Sequence, residues 1–269
     1  MTIIQSIVLG SIQGLTEFLP VSSSGHLIFL PKLFGWVDQG LGFDVILHLG
    51  SLLAVVVYFR KKIWQMTKAF FSRKEELKSD RKLAWLIILS IIPAGVLGLL
   101  FNDWVETNLR GAGVVAFGLI FWGIILWFAD GYSRKLEAGS RKSLDRVNWK
   151  SSLFIGFAQA IALFPGTSRS GITMTAGLFS KFDKKSAAEF SFLMSVPIIF
   201  LAGVKHLIEM LEVGLGGLNI TVLVVAFLSA AFSGFLAIWG LMRLIQKYSF
   251  TPFVVYRIVV GVLILIFLV

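Results

Sequence analysis

Pro165-Gly166-Thr167-Ser168-Arg169-Ser170-Gly171 lies in the middle of an otherwise apolar stretch, Ser151–Ser180. A Pro-Gly pair followed by hydroxyl residues breaks a helix, so the stretch does not read as one spanning helix. Lys150 precedes it, and Lys181, Lys184 and Lys185 follow it. The positive-inside rule places both flanks in the cytoplasm. The chain must then enter and leave the membrane on the same side. The expected structure is a re-entrant hairpin, two half-helices meeting at a turn inside the bilayer. Irregular backbone at that depth is tolerated only where protein or a polar cavity surrounds it.

The rest of the chain fits a membrane setting. Of its 269 residues, 57% are hydrophobic and 15% charged, against roughly 45–50% and about 25% in soluble domains. This excludes a disordered or nucleic-acid-binding chain, and about 20 residues per span leave room for eight to ten membrane segments. Uncharged runs mark six spanning helices: Val45–Phe59, Leu83–Phe101, Gly111–Ala129, Phe190–Val204, a helix from about Ile220 to Met242, and Pro252–Val269 with Arg257 inside it. A Gly-rich loop with Gly214, Gly216 and Gly217 precedes the fifth. The loop Arg60–Lys82 holds nine Lys/Arg against three Asp/Glu, and Gly131–Lys150 holds six against two. Both read as cytoplasmic, so the net charge of +10 reports topology. The segments around Asp103–Glu106 and Glu209–Glu212 read as external loops. No cysteine is present, which excludes disulfides and thiolate chemistry. Ile3 and Ile4 follow Met1 without a basic stretch, so no cleavable signal peptide is expected.

The N-terminal segment has the same design. An apolar arm, the break Leu19-Pro20-Val21-Ser22-Ser23-Ser24-Gly25 and a second arm read as a second hairpin, entering from outside. A single span is the alternative. Gly10, Gln13, Phe18, Ser22, Ser24 and Gly25 recur 146 positions later as Gly156, Gln159, Phe164, Ser168, Ser170 and Gly171. Asp44 and Arg60 bracket one uncharged helix, as Glu189 and Lys205 bracket another. Each half, about 1–130 and 151–269 around a cytoplasmic linker 131–150, is one hairpin and three spans. Three is odd, so the halves have inverted topology, with a site expected near the midplane between them. The whole chain reads as a single all-α polytopic membrane domain.

Each hairpin carries one formal charge, Glu17 in the first and Arg169 in the second, with His26 as a further ionisable group. Ionisable groups at membrane depth are costly and mark function. A Glu17–Arg169 pair that merely locked the halves would not need the hydroxyls and glycines around it. Those residues, Ser22, Ser23, Ser24 and Gly25 in one turn and Thr167, Ser168, Ser170 and Gly171 in the other, precede half-helices whose free N–H groups suit an anion. The Arg169 fork suits phosphate oxygens. Ser23 could attack phosphorus, and His26 could move a proton. Glu17 could act as base or hold Mg²⁺ or Ca²⁺, which prefer oxygen ligands. His48 and His206 read as packed core histidines.

At these residues the sequence resembles the BacA-type undecaprenyl-pyrophosphate phosphatases. Gln13-x-x-x-Glu17 matches the family's (Glu/Gln)-x-x-x-Glu motif, and it runs on through Phe18-Leu19-Pro20-Val21-Ser22-Ser23-Ser24-Gly25-His26. Pro165-Gly166-Thr167-Ser168-Arg169-Ser170-Gly171-Ile172-Thr173 matches Pro-Gly-x-Ser-Arg-Ser-x-x-Thr, and Phe253-x-x-Tyr256-Arg257 also looks like the family. The resemblance covers essentially the whole chain. It implies a multi-pass enzyme of the bacterial plasma membrane that hydrolyses a polyprenyl diphosphate to the monophosphate and phosphate. Such an enzyme recycles the lipid carrier for cell-wall synthesis and confers bacitracin resistance. A divalent cation and a homodimer are also implied. Carried over by motif, Ser23 is the favoured nucleophile, Glu17, His26 and Arg169 are essential, and Thr173 joins the phosphate-binding set. Gln13 stands where a second metal carboxylate would be, leaving Glu17 as the main anionic ligand.

Two alternatives stay open at this level. His26 rather than Ser23 could carry the phosphoryl group. The inverted repeat also suits a flippase or transporter for a lipid phosphate, using the same intramembrane site.

Overall fold

The starts of α-helices on both sides of the two breaks are set by side chains that satisfy free N–H groups. In a computed structural model, which describes residues 1–37, 40–109, 111–213 and 219–269, Thr2 opens α1 (Ile3–Phe18) with a capping box shared with Gln5. Ser22 opens α2 (Ser23–Leu33), its side chain accepting from the Gly25 N–H. Leu41–Tyr58 forms α3, Arg60–Phe70 α4, Lys78–Asn108 α5 and Ala112–Lys135 α6. Asn148 builds a second capping box with Ser151 at the start of α7 (Trp149–Ile161). Ser168 caps α8 (Arg169–Phe179). Lys184–Val213 forms α9, Ile220–Lys247 α10, capped by Asn219, and Thr251–Leu268 α11.

The described residues are thus all-helical apart from turns, 3₁₀ segments and one isolated backbone pairing of Lys142 with Phe182. Five helices, α5, α6, α9, α10 and α11, are long and apolar enough to cross a membrane. A sixth, α3, meets that test only together with α4, from which it is bent by 83°. Many large side chains on these helices, such as Leu99, Phe117, Phe232 and Ile266, face outward. Such a surface would be a liability in water and is ordinary in lipid.

Three expected loops turn out to be helical. Arg60–Lys82 contains α4, whose Ile63, Met66, Ala69 and Phe70 recur at helical spacing and form an apolar face under the lysines. The expected external loop at 103–106 is the last part of α5, and that at 209–212 the last part of α9. Both helices run on through these charged stretches. Gly214, Gly216 and Gly217 lie outside the described residues.

Packing brings the N-terminal helices onto the C-terminal ones. α1 packs on α10, α7 on α5, α3 on both α9 and α10, and α11 on α6. The α1–α10 approach is close: a Cβ at Gly10 would lie 2.6 Å from the Ala226 carbonyl oxygen. At the matching position on α7, a Cβ at Gly156 would collide with the Ser90 carbonyl of α5. Phe18 and Phe192, both fully buried, meet edge to face at 5.4 Å in the largest core cluster. Near the lysine-rich loops, fully buried Asp130 on α6 lies 3.0 Å from Lys184 Nζ and accepts from the Phe250 N–H, joining α6, α9 and α11.

Candidate active site

The two breaks adopt one backbone shape. Ser22 has φ 74° and ψ 97°, and Ser168 has φ 71° and ψ 109°. A non-glycine residue with positive φ costs about 1–3 kcal/mol and persists only where its surroundings enforce it. Here the enforcing contact is the cap. Ser22 Oγ accepts from Gly25 N at 3.4 Å, and Ser168 Oγ accepts from Gly171 N at 3.1 Å. Each serine also lies within hydrogen-bond reach of the hydroxyl two residues on, Ser24 at 3.3 Å and Ser170 at 3.4 Å.

The breaks meet. Arg169 Nη2 donates to Glu17 Oε1 at 2.7 Å, and Ser170 Oγ donates to the Leu19 carbonyl at 3.0 Å. Ser23 Oγ donates to Glu17 Oε2 at 2.6 Å, and Gln13 Nε2 donates to the same oxygen at 3.1 Å. Glu17 is 6% exposed and Arg169 18%. These residues wall a cavity of about 330 Å³. Glu17, Ser22, Ser23, Ser24, Ser168 and Arg169 form its polar side. Leu27, Ile28, Val45, Ile198, Ile199 and Ala202 form an apolar side, with Asp44, His48 and His206 also on the wall. A lining that combines a guanidinium and several hydroxyls with aliphatic side chains fits an amphiphile with an anionic group.

The remaining expected site residues lie behind this wall. His26 is buried, and its Nδ1 donates to the Ser22 carbonyl at 2.7 Å. A carbonyl only accepts, so the neutral ring presents Nε2 as acceptor to the Tyr256 hydroxyl, also at 2.7 Å. The Tyr256 and His26 rings stack nearly parallel, 5.6 Å apart. Thr173 Oγ1 bonds the Arg169 carbonyl and Ser191 Oγ, tying α8 to α9. Thr167 is fully buried within the second break. Gly25 and Gly171 supply the capped N–H groups.

Three residues were missed or misread from sequence. His48 and His206, expected in the core, line the cavity. His48 Nδ1 donates to the Asp44 carbonyl, which turns Nε2 toward Glu17 Oε2 at 3.9 Å. Only the packing of α3 against α9 reveals this. Arg257 on α11 is fully buried and donates to main-chain carbonyls of both breaks. Its signal was in plain view, as a charge inside an apolar segment.

A divalent cation needs oxygen donors. Among the described residues no group of three or more His, Asp or Glu side chains is arranged to hold a metal. Gln13 Oε1, however, is buried without a hydrogen-bond partner beside Glu17. A carboxylate plus this one amide oxygen suits Mg²⁺ or Ca²⁺ when substrate phosphates complete the shell.

Comparison with known proteins places the chain in a family. The family described as "Bacitracin resistance protein BacA" matches residues 6–263. A protein of Pseudoalteromonas translucida (strain TAC 125) named undecaprenyl-diphosphatase 1 is 45% identical over 270 residues, covering 100% of this chain and 99% of the relative. Undecaprenyl-diphosphatase 2 of Stutzerimonas stutzeri (strain A1501) is 45% identical over 268 residues, 99% of this chain and 98% of the relative. The undecaprenyl-diphosphatase of Aliivibrio salmonicida (strain LFI1238) is 46% identical over 267 residues, 97% of this chain and 96% of the relative. With the family matched over residues 6–263 and relatives 45–46% identical along nearly their whole lengths, this chain belongs to the bacitracin resistance protein BacA family.

Proposed function

We propose that this protein is a multi-pass membrane enzyme that hydrolyses undecaprenyl diphosphate to undecaprenyl phosphate and inorganic phosphate. Removing the diphosphate form of the carrier returns it to cell-wall synthesis and lowers the amount available to bacitracin. The observation that carries this reading is the Ser23–Glu17–Arg169 chain on the wall of a cavity that is also lined by aliphatic side chains.

The chemistry follows from those contacts. Arg169 spends one N–H on Glu17, and its guanidinium has others for phosphate oxygens on the cavity side. Ser23 Oγ attacks the terminal phosphorus as Glu17 Oε2 takes its proton. The Oγ–P bond forms, the bridging P–O bond breaks, and undecaprenyl phosphate leaves. Water then attacks the phosphoserine, the Oγ–P bond breaks, Ser23 regains a proton and phosphate departs. His26 holds the Ser22 carbonyl, and so the turn that aims Ser23. Glu17 and Gln13 would hold a divalent cation, which supplies charge neutralisation at the diphosphate.

The membrane arrangement belongs to the same proposal. The short helices α1, α2, α7 and α8, of 16, 11, 13 and 11 residues, form two re-entrant hairpins. They belong to halves of inverted topology around one site. The shared backbone of Ser22 and Ser168 supports this, as do the matched close approaches at Gly10 and Gly156. With Arg60, which begins α4 just after α3, and Lys184, which begins α9, on the cytoplasmic side, Asp44, His48 and His206 lie toward the opposite ends of α3 and α9. The cavity then opens away from the cytoplasm.

The test is phosphate release from undecaprenyl diphosphate by purified protein in detergent, where transport between two sides has no meaning. Release that Arg169→Ala abolishes supports the reading. No release, or full release by that variant, refutes it.

A further inference from the structure

Arg257 has the largest side chain among the fully buried residues, and neither the hydrolytic chemistry nor any ion pair uses it. Among the described residues no carboxylate lies within ion-pair distance of it. Its acceptors are all main-chain carbonyls. Nε donates to Leu119 O at 3.0 Å and Nη2 to Gly118 O at 3.1 Å, both on α6. Nη1 donates to Pro20 O in the first break at 3.3 Å. Nη2 also donates to Gly166 O at 3.0 Å and Thr167 O at 2.9 Å in the second.

We propose that Arg257 is a positioning residue that sets the distance and orientation between the two serine turns, and thereby between Ser23 and Arg169. A broken helix in a bilayer frees carbonyls that no water can satisfy. One guanidinium has enough donors for carbonyls of both breaks at once. Its atoms are coplanar and rigidly spaced, so the separation of Pro20 O from Gly166 O and Thr167 O follows the separation of its nitrogens. Pro20 lies three residues before Ser23, and Thr167 two before Arg169. Little chain lies between the clamp and the groups it aims. The neighbouring Tyr256 reaches His26 from the same helix. α11 therefore makes two hydrogen bonds on the side of each break, through Arg257 and Tyr256 on the first and through Arg257 alone on the second.

The inference rests on the site proposed above, and its test separates the two. The variant is Arg257→Lys, which keeps the charge and loses the fork. The probes are a nonhydrolysable prenyl methylenediphosphonate and the matching prenol, with thermal melting as a check on folding. The diphosphonate should bind about tenfold more weakly, the size of one lost hydrogen bond. The kcat should fall about a hundredfold, as for a misplacement near 1 Å. Prenol affinity should not change, because the aliphatic wall is untouched. Gly171→Ala gives a second route if the lysine variant does not fold. Its Cβ would lie 2.9 Å from Arg257 Nη1 and 3.1 Å from Ser168 Oγ, pressing the guanidinium and the turn it holds apart without removing either, and the same pattern is expected. Native diphosphonate affinity and kcat in either folded variant overturns the inference. So does equal weakening of prenol and diphosphonate, which marks general loosening. Arg169→Ala is the control. Unchanged diphosphonate affinity there refutes the site itself, whereas weakening there with a native-like Arg257→Lys refutes only the clamp.

Discussion

The Ser23 hydroxyl donates to Glu17 Oε2 over 2.6 Å, while the other oxygen of the same carboxylate is held by Arg169 at 2.7 Å. One oxygen is thus left to receive a proton and the other is anchored. Glu17→Gln preserves the shape of this arrangement and removes the base. Its kcat should fall about 10²–10⁴-fold with a smaller change in KM. The variant also leaves the partly exposed Arg169 guanidinium without its carboxylate, a loss smaller than the roughly 3–5 kcal/mol of fully buried pairs. Melting in detergent should register that as a lower Tm. A native kcat in Glu17→Gln would remove Glu17 from proton transfer.

His26 is held by two hydrogen bonds that differ in consequence. Tyr256→Phe deletes only the outer one, on Nε2. A single neutral hydrogen bond contributes about 0.5–1.5 kcal/mol, so kcat/KM should fall roughly 2- to 10-fold. His26→Ala also frees the Ser22 carbonyl and should cost much more. Steady-state kinetics on the two variants decides this. Equal losses would place Tyr256, not His26, at the centre of the effect.

What was readable in the chain divides along a physical line. The breaks before α2 and α8 were plain, because Pro20, Pro165 and Gly166 are followed closely by serines that cap a new helix, whereas Pro31, Pro93 and Pro197, with no such cap beside them, lie inside helices. The start of α10 at Ile220 was plain for the same reason, with Asn219 as its cap. Glu17 and Arg169 stood out because charge inside a bilayer is costly. Helix α4 was hidden because a run of lysines masks a sparse apolar stripe. His48 and His206 were misread because a lone histidine on an apolar helix carries no mark of what packs against it. Arg257 reaches a carbonyl 237 positions away along the chain, and no local pattern encodes which backbone a guanidinium will meet.

Helix packing offers a test independent of chemistry. The Gly156 backbone lies against the Ser90 carbonyl, part of a helix that cannot yield as a side chain would. Gly156→Ala should push α7 off α5 and destabilise the protein by about 1–3 kcal/mol, as overpacking does elsewhere. A lower Tm is expected. A Tm raised by the alanine's helix propensity would show that the two helices are less closely apposed.

The cation site can be probed without turnover. Gln13→Glu would supply the second carboxylate absent from this chain, next to Glu17. Without metal, two adjacent buried acids should lower the Tm. Added Ca²⁺ should raise it more in the variant than in the native protein, since a ligand that binds only the folded state stabilises it. The half-saturating cation concentration should fall about tenfold. No difference in Ca²⁺ response between the two proteins would place the cation elsewhere.

The most direct test of the central claim is a rapid-quench experiment on a single turnover of undecaprenyl diphosphate carrying radiolabel in its terminal phosphate. Transient label should appear on the protein, survive acid, be lost in base, map to Ser23 and be missing from Ser23→Ala. Acid-labile label on His26 would contradict the claim, and so would turnover by Ser23→Ala at the native rate.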